Sequence, residues 1–176
     1  MKKIVIAMLL TVLVAAPAVA ADAGGIYAGV KLGLSDVVGS TLGFGVYGGY
    51  NIDPSVTAKI TSKVSFAGEA EYTNFGSNTY FLGSKYSAAA IGGVVAVTYP
   101  INQQFSVIAK AGLARTTTDV TCAGCGPFWN HTTNTIGLRV GAAGQYNLTR
   151  QVGLRAGLDL YPDGYSMVSA GAVIKF

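Results

Sequence analysis

Few residues in this chain could do chemistry. Cys122 and Cys125, spaced C-A-G-C, are its two cysteines, and His131 is its single histidine. A C-x-x-C pair suits thiol redox chemistry or half of a zinc site. Zinc would need two further ligands, and His131 is the only one nearby. Glu69 and Glu71 are the one close carboxylate pair. At a spacing of two they share one face of a strand, which is not a glycosidase signature if that face is packed. The other candidate charges stand alone: Lys31, Lys110, Arg139, Arg155 and Asp159. No glycine cluster reads as a phosphate loop, because the glycines alternate along the chain. Asn147-Leu148-Thr149 matches a glycosylation sequon and falls on a turn, where chance explains it.

Composition says what must position these residues. The chain has 176 residues, enough for one domain, with 24 Gly and 11% charged residues. That glycine content is about twice the usual ~7%. A soluble surface calls for roughly 25–35% charge, so a water-facing exterior is poorly supplied here. A lipid-facing exterior would explain the shortage. The net charge of +4 does not suit a nucleic-acid partner.

The N-terminus has the grammar of an export signal. Lys2 and Lys3 precede an apolar stretch at 4–16, Pro17 breaks it, and Ala18-Val19-Ala20 is a small-x-small cleavage site. The apolar stretch is far short of the roughly 20 residues of a spanning helix. We expect a signal peptide at 1–20 and a mature domain at 21–176, with Ala21-Asp22-Ala23 as a second cleavage candidate. An exported chain meets an oxidising compartment. That favours a short-loop disulfide between Cys122 and Cys125 over free thiols or a metal.

The mature chain alternates with a period of two, the mark of half-buried strands. Eight strands are expected at 26–35, 41–52, 64–74, 86–99, 105–114, 135–148, 152–160 and 167–176. In the first, Ile26, Ala28, Val30, Leu32 and Leu34 form an apolar row opposite Tyr27, Gly29, Lys31, Gly33 and Ser35. The opposite rows of the other strands carry Glu69 and Glu71, Lys110, Arg139, Arg155 and Asp159 among Gly, Ala and Ser. Such a row is too poor in polar residues to face water. It suits the interior of a small barrel, where only side chains fit. Most strands approach the roughly 9–11 residues that cross a bilayer, and the even count permits antiparallel closure.

Tyr50, Tyr99, Phe105, Tyr146 and Phe176 lie on the apolar rows at strand ends, as a membrane-interface girdle would. Tyr72 is the best member of the other girdle. The connections at 100–104 and 149–151 are short, as periplasmic turns are, whereas 51–63 is longer. The opposite connections are 36–40, 75–85, 115–133 and 161–166. The longest of these carries both cysteines, Trp129 and His131.

Several segments resemble an OmpA-type transmembrane domain. Ile26-Tyr27-Ala28-Gly29-Val30-Lys31-Leu32-Gly33 looks like its opening strand, and Phe44-Gly45-Val46-Tyr47-Gly48-Gly49-Tyr50 like its second. Thr98-Tyr99-Pro100-Ile101 and Lys110-Ala111-Gly112 resemble its fourth and fifth. In size the chain is similar to small stand-alone members of NspA and OmpX type, without the peptidoglycan-binding domain. The resemblance implies an all-β, eight-stranded antiparallel outer-membrane barrel of the porin family in a Gram-negative bacterium. It also implies an interior cluster of paired charges, matched here by Lys31, Glu69, Lys110 and Arg155. Glu69 with Arg155 is the pair most like the family's interior gate. Gln145 stands where the family has an acid and Ala96 where it has a base. Alternation by itself adds Glu71, Arg139 and Asp159 to the inward rows. Phe176, preceded by Ile174, Ala172, Ala170 and Val168, resembles the terminal signal read by the barrel-assembly machinery.

Three functions follow as expectations. The first is a monomeric structural or adhesive barrel, plugged by paired charges. Its loops would meet lipopolysaccharide, host surfaces or other ligands through Tyr80, Phe81, Phe128, Trp129 and His131. The second is a narrow gated channel or small-molecule conduit. The third is a lipid A-modifying enzyme, because His131-Thr132-Thr133-Asn134 is faintly similar to the His-x-Ser-Asn segment of lipid A deacylases. A nucleophile also needs a base within reach and a group to orient it. No acid partner is evident, so no catalytic residue, metal or cofactor is expected.

Overall fold

The structure, a computed structural model, describes residues 25–36, 39–52, 64–79, 84–122 and 130–176. The expected leader at 1–20 and the residues Tyr80, Phe81, Cys125, Phe128 and Trp129 lie outside these segments.

Eight strands form: β1 (Ile26–Asp36), β2 (Ser40–Asn51), β3 (Ser65–Thr79), β4 (Ser84–Pro100), β5 (Phe105–Cys122), β6 (His131–Asn147), β7 (Val152–Leu160) and β8 (Ser166–Lys175). Each pairs antiparallel with its neighbour in sequence, and β8 pairs with β1 to close the barrel. Closure leaves no sheet edge whose N–H and C=O groups would face lipid unpaired.

The alternation is inside out relative to a soluble barrel. Leu42 and Ile136 on the outer rows are 71% and 72% exposed, while Glu69 and Arg139 on the inner rows are 3% and 1% exposed. The small inner residues make this possible. Tyr27 stands opposite Gly49 and Tyr47 opposite Gly29 across the β1–β2 ladder. A Cβ on either glycine would collide with the facing phenol ring. Glycine here is the space into which the inward tyrosines fold.

The strands run further than the alternation suggests. Segments expected as connections at 75–85 and 115–133 are largely strand: β3 reaches Thr79, β5 reaches Cys122 and β6 begins at His131. The apolar outer row of β5 ends at Leu113 and gives way to Arg115, Thr117 and Asp119. Backbone pairing does not depend on outer polarity, so the ladder continues beyond the lipid. β4, β5 and β6 have 17, 18 and 17 residues, against 9 and 10 for β7 and β8. One side of the rim therefore stands above the other.

A register shift between Asn74 and Ser77 bends β3. Gly76 takes φ +87° there, and its N–H donates to Asn74 Oδ1 at 2.9 Å. Phe75, expected in a loop, is fully buried. At the opposite end the turns are short. Asn102 Oδ1 accepts from the N–H groups of Gln104 and Phe105 at 2.9 and 2.7 Å, closing β4 onto β5. Thr149 Oγ1 does the same for Gln151 and Val152 before β7.

The interior has three storeys. An apolar layer of Tyr27, Tyr47, Ala67, Ala96, Ile108, Ala143 and Val173 lies toward the short turns. A second, of Phe75, Ala88, Ala90, Ala114, Tyr161 and Met167 with Tyr165, lies toward the long-strand rim. The charged residues sit between them.

Candidate functional site: the interior charge lattice and the long-strand rim

The charged storey is built from five strands. β1 supplies Lys31, β3 supplies Glu69 and Glu71, β5 supplies Lys110, β6 supplies Arg139, and β7 supplies Arg155 and Asp159. All lie on inward rows, so the period of two aims them at one axis. Buried charges persist only when paired and hydrogen-bonded, and each carboxylate here is met from several sides.

Glu71 receives Lys31 Nζ at 2.7 Å and Arg139 Nη2 at 2.7 Å. Its Oε1 also accepts from the hydroxyls of Thr73 (2.7 Å) and Tyr161 (2.8 Å). Asp159 receives Lys31 at 2.7 Å, Arg139 at 3.1 Å and Lys110 at 3.5 Å. Glu69 receives Arg155 Nη1 at 2.6 Å and the Tyr27 hydroxyl at 2.7 Å, with Lys110 at 3.8 Å. All seven candidate charges meet in one connected lattice.

The two departures from the family pattern each have a structural account. Gln145, standing in place of an acid, accepts from Nε and Nη2 of Arg155 at 3.1 and 3.0 Å through its amide oxygen. Its amide then donates to Asn147 Oδ1 at 2.9 Å. Ala96, standing in place of a base, is buried in the apolar layer.

Sequence reasoning missed Tyr161 and treated 161–166 as an outer connection. The structure folds that connection inward. Pro162–Gly164 forms a short 3-10 turn, with Asp163 and Gly164 at φ +66° and +78°. Tyr161 N–H donates to Tyr165 O at 2.8 Å. The Tyr161 ring meets Phe75 edge-on at 4.8 Å between centroids, and Arg139 lies 4.7 Å from its centre. The signal was present: Arg155, Gly157, Asp159 and Tyr161 continue one parity.

The barrel mouth at the short turns is a vestibule of about 450 Å³. Asn51, Asn102, Ser106, Gln145, Arg155 and Lys175 supply much of its polar lining. Arg155, the partner of Glu69, lines it. At the other end the Phe75, Tyr161 and Met167 layer covers the lattice.

The long-strand rim carries the remaining candidates. His131 opens β6 and is exposed. Asn134 Oδ1 accepts from Arg115 Nε at 3.3 Å and Thr117 Oγ1 at 2.8 Å on the outer face. Strand alternation puts Asn134 on the face opposite His131 and Thr133. The three residues that resemble a lipid A deacylase segment therefore do not converge. Cys122 ends β5, and its N–H donates to Asn130 Oδ1 at 3.4 Å. Among the described residues no cluster of His, Cys, Asp and Glu could hold a metal.

Tyr50, Tyr99, Phe105 and Tyr146 are exposed outward at the short-turn end, and Phe105 pairs with Tyr146 across β5 and β6. Phe176 N–H donates to Ile26 O at 2.9 Å, so the final residue extends the seam that closes the barrel.

Comparison with known proteins agrees with this architecture. The outer membrane protein beta-barrel domain family matches residues 5–173. No curated protein sequence matches. Among solved structures, Neisserial surface protein A (NspA) is 21% identical, with a TM-score of 0.59 over 86% of this chain and 96% of that one. Ail, the attachment invasion locus protein of Yersinia pestis, is 14% identical, with a TM-score of 0.59 over 86% and 97%. That structure holds the heparin analogue sucrose octasulfate. The N-terminal barrel domain of Pseudomonas aeruginosa OprF is 14% identical, with a TM-score of 0.59 over 85% and 97%. At these identities the structures share the fold. With its closed eight-stranded wall, lipid-ready exterior and matching family profile, this chain belongs to the outer membrane protein β-barrel family, as an eight-stranded barrel of OmpA and Ail type in the bacterial outer membrane.

Proposed function

We propose that this protein is a closed structural and surface-contact barrel, whose work is done at the long-strand rim rather than through its interior. One observation carries the reading. On the rim side of the lattice Phe75, Tyr161 and Met167 are all buried, which supports an interior that is closed beyond the vestibule. Short turns face the periplasm in barrels of this kind, which sets the long-strand rim outside the cell.

On that rim β4, β5 and β6 raise a polar ledge above the apolar band. Arg115, held by Asn134 at the boundary, is placed to meet lipopolysaccharide phosphates at headgroup depth. The connection after Cys122, with Phe128 and Trp129, and that after Thr79, with Tyr80 and Phe81, would present the contact aromatics. Adhesion or ligand contact by this rim is the role we assign, by an exported, monomeric chain that has lost its leader at 1–20. The barrel-assembly machinery would read Phe176. The heparin analogue held by Ail is a precedent for a sulfated-sugar ligand on this fold. The described rim charges, Lys85 and Arg115 against Asp36, Asp119 and Asp163, are not predominantly basic, so we do not carry that ligand over.

Planar-bilayer recording from the refolded protein tests the reading. No unitary current is expected. Steady currents changed by Glu69→Gln would move the role to the narrow channel. Deleting 123–129 should lower adherence of expressing cells without lowering barrel assembly. Unchanged adherence would remove that connection from the contact surface.

A further inference from the structure

The interior charges do not balance. Among the described residues the lattice holds four cations, Lys31, Lys110 and Arg139 buried and Arg155 partly buried at the vestibule, against three buried carboxylates, Glu69, Glu71 and Asp159. An uncompensated charge enclosed in protein is costly. The imbalance has an address. Lys31 has three close partners, at 2.7, 2.7 and 3.1 Å. Arg139 meets two carboxylates at 2.7 and 3.1 Å, and Arg155 meets Glu69 at 2.6 Å. Lys110 alone stands back, its nearest carboxylate oxygens at 3.5 and 3.8 Å.

A small, partly open space adjoins it. Lys31, Tyr47, Lys110, Arg155, Asp159 and Ser169 line a cavity, with Ala143 and Gly157 completing its wall. About 10 Å³ is open to the centre of a water-sized sphere, room for one such occupant. Three of the lining side chains are cations and one is an acid. Tyr47 is 5% exposed, and its buried hydroxyl has no hydrogen-bond partner. Two of the cations approach its ring, the Arg155 guanidinium carbon at 4.8 Å and Lys110 Nζ at 5.9 Å from the centroid. Arg155 also lines the vestibule, so the cavity lies one side chain away from the open mouth.

We propose that this cavity is a monovalent-anion site, filled by a halide that enters from the short-turn mouth past Arg155. The halide accepts from Lys110 and Tyr47 and brings the charge of the whole lattice, Arg155 included, to zero. Chloride is somewhat larger than water. The Lys110 tail, free of any short contact with a carboxylate, can retract to admit it. Sulfate, larger and divalent, fits neither the space nor the charge. The site is a dead end, because the Phe75 layer closes the far side. It is therefore a structural halide site rather than a conduction path.

The test uses the full barrel purified from outer membranes. Crystals soaked in bromide should show an anomalous peak within hydrogen-bond distance of Lys110 Nζ. In solution, each tenfold rise in chloride above its dissociation constant should raise the unfolding temperature by about 3–5 °C, with no such rise in sulfate at matched ionic strength. Lys110→Met removes the surplus charge and should abolish both signals. An ordered water at the cavity in high bromide, or equal effects of chloride and sulfate, would overturn the proposal. So would a halide dependence that survives Lys110→Met. Should that variant fail to refold, the wild-type bromide map still decides. Tyr47→Phe, which leaves every charge in place, should keep the chloride effect but shift it to higher concentration.

Discussion

Arg139 and Glu71, on β6 and β3, meet at 2.7 Å across the barrel axis, each with a side chain only 1% exposed. They are not neighbours in the wall; two strands separate them on one side. The pair ties opposite walls together at the most enclosed level of the interior. Its removal should therefore cost more than removal of a pair near the mouth.

Arg139→Ala leaves Glu71 and Asp159 short of a partner where no water reaches. A loss of about 3–5 kcal/mol is expected in urea unfolding of the refolded barrel. Arg155→Ala should cost less, because Arg155 borders the vestibule and water can take its place beside Glu69. Equal losses would show that water reaches both levels.

Phe75→Ala empties the layer that seals the lattice, where Phe75 packs on Tyr161 and Tyr165 at 4.8 and 5.8 Å. A destabilisation of about 3–5 kcal/mol is expected, the scale for a buried aromatic truncated to alanine. Faster hydrogen exchange at Thr73 and Tyr161 should accompany it. Unchanged exchange there would mean that the layer does not exclude water.

Tyr161→Phe removes one hydroxyl that contacts Glu71, Lys31 and Thr73 at 2.8, 3.1 and 3.0 Å. Hydrogen bonds to charged groups are worth about 1.5–3 kcal/mol, and a loss in that range is expected. A variant as resistant to denaturant as the parent would show that the inward fold of 161–165 rests on ring packing alone.

Two glycine variants should differ in sign. A Cβ on Gly171 would collide with the carbonyl oxygen of Val30, which is backbone and cannot swing aside. Gly171→Ala should cost about 1–3 kcal/mol. Gly68 faces outward with nothing within 4 Å of such a Cβ, so Gly68→Ala should be neutral or stabilising by up to about 1 kcal/mol. Comparing the heating temperature at which each variant loses its unboiled gel mobility would separate them.

The period-two rows were legible from residue types alone because a strand in lipid must put its apolar side chains on one face. Lys31, Glu69, Glu71, Lys110, Arg139, Arg155 and Asp159 could be placed inside by parity, and eight such strands imply closure because lipid tolerates no open edge. Parity carries no distance, however. Which cation meets which carboxylate depends on the stagger of the strands around the barrel. The Glu69–Arg155 pair came from family resemblance, while the Arg139–Glu71–Lys31–Asp159 cluster emerged only from the closed wall. Strand ends were misjudged at Asn74, Ala114 and Thr135 because polarity changes where lipid ends, whereas backbone pairing stops only where the chain turns. The inward fold of Tyr161 and the isolation of Lys110 were likewise decided by three-dimensional packing. Both depend on what other strands bring to the axis, and no local pattern in the chain records that.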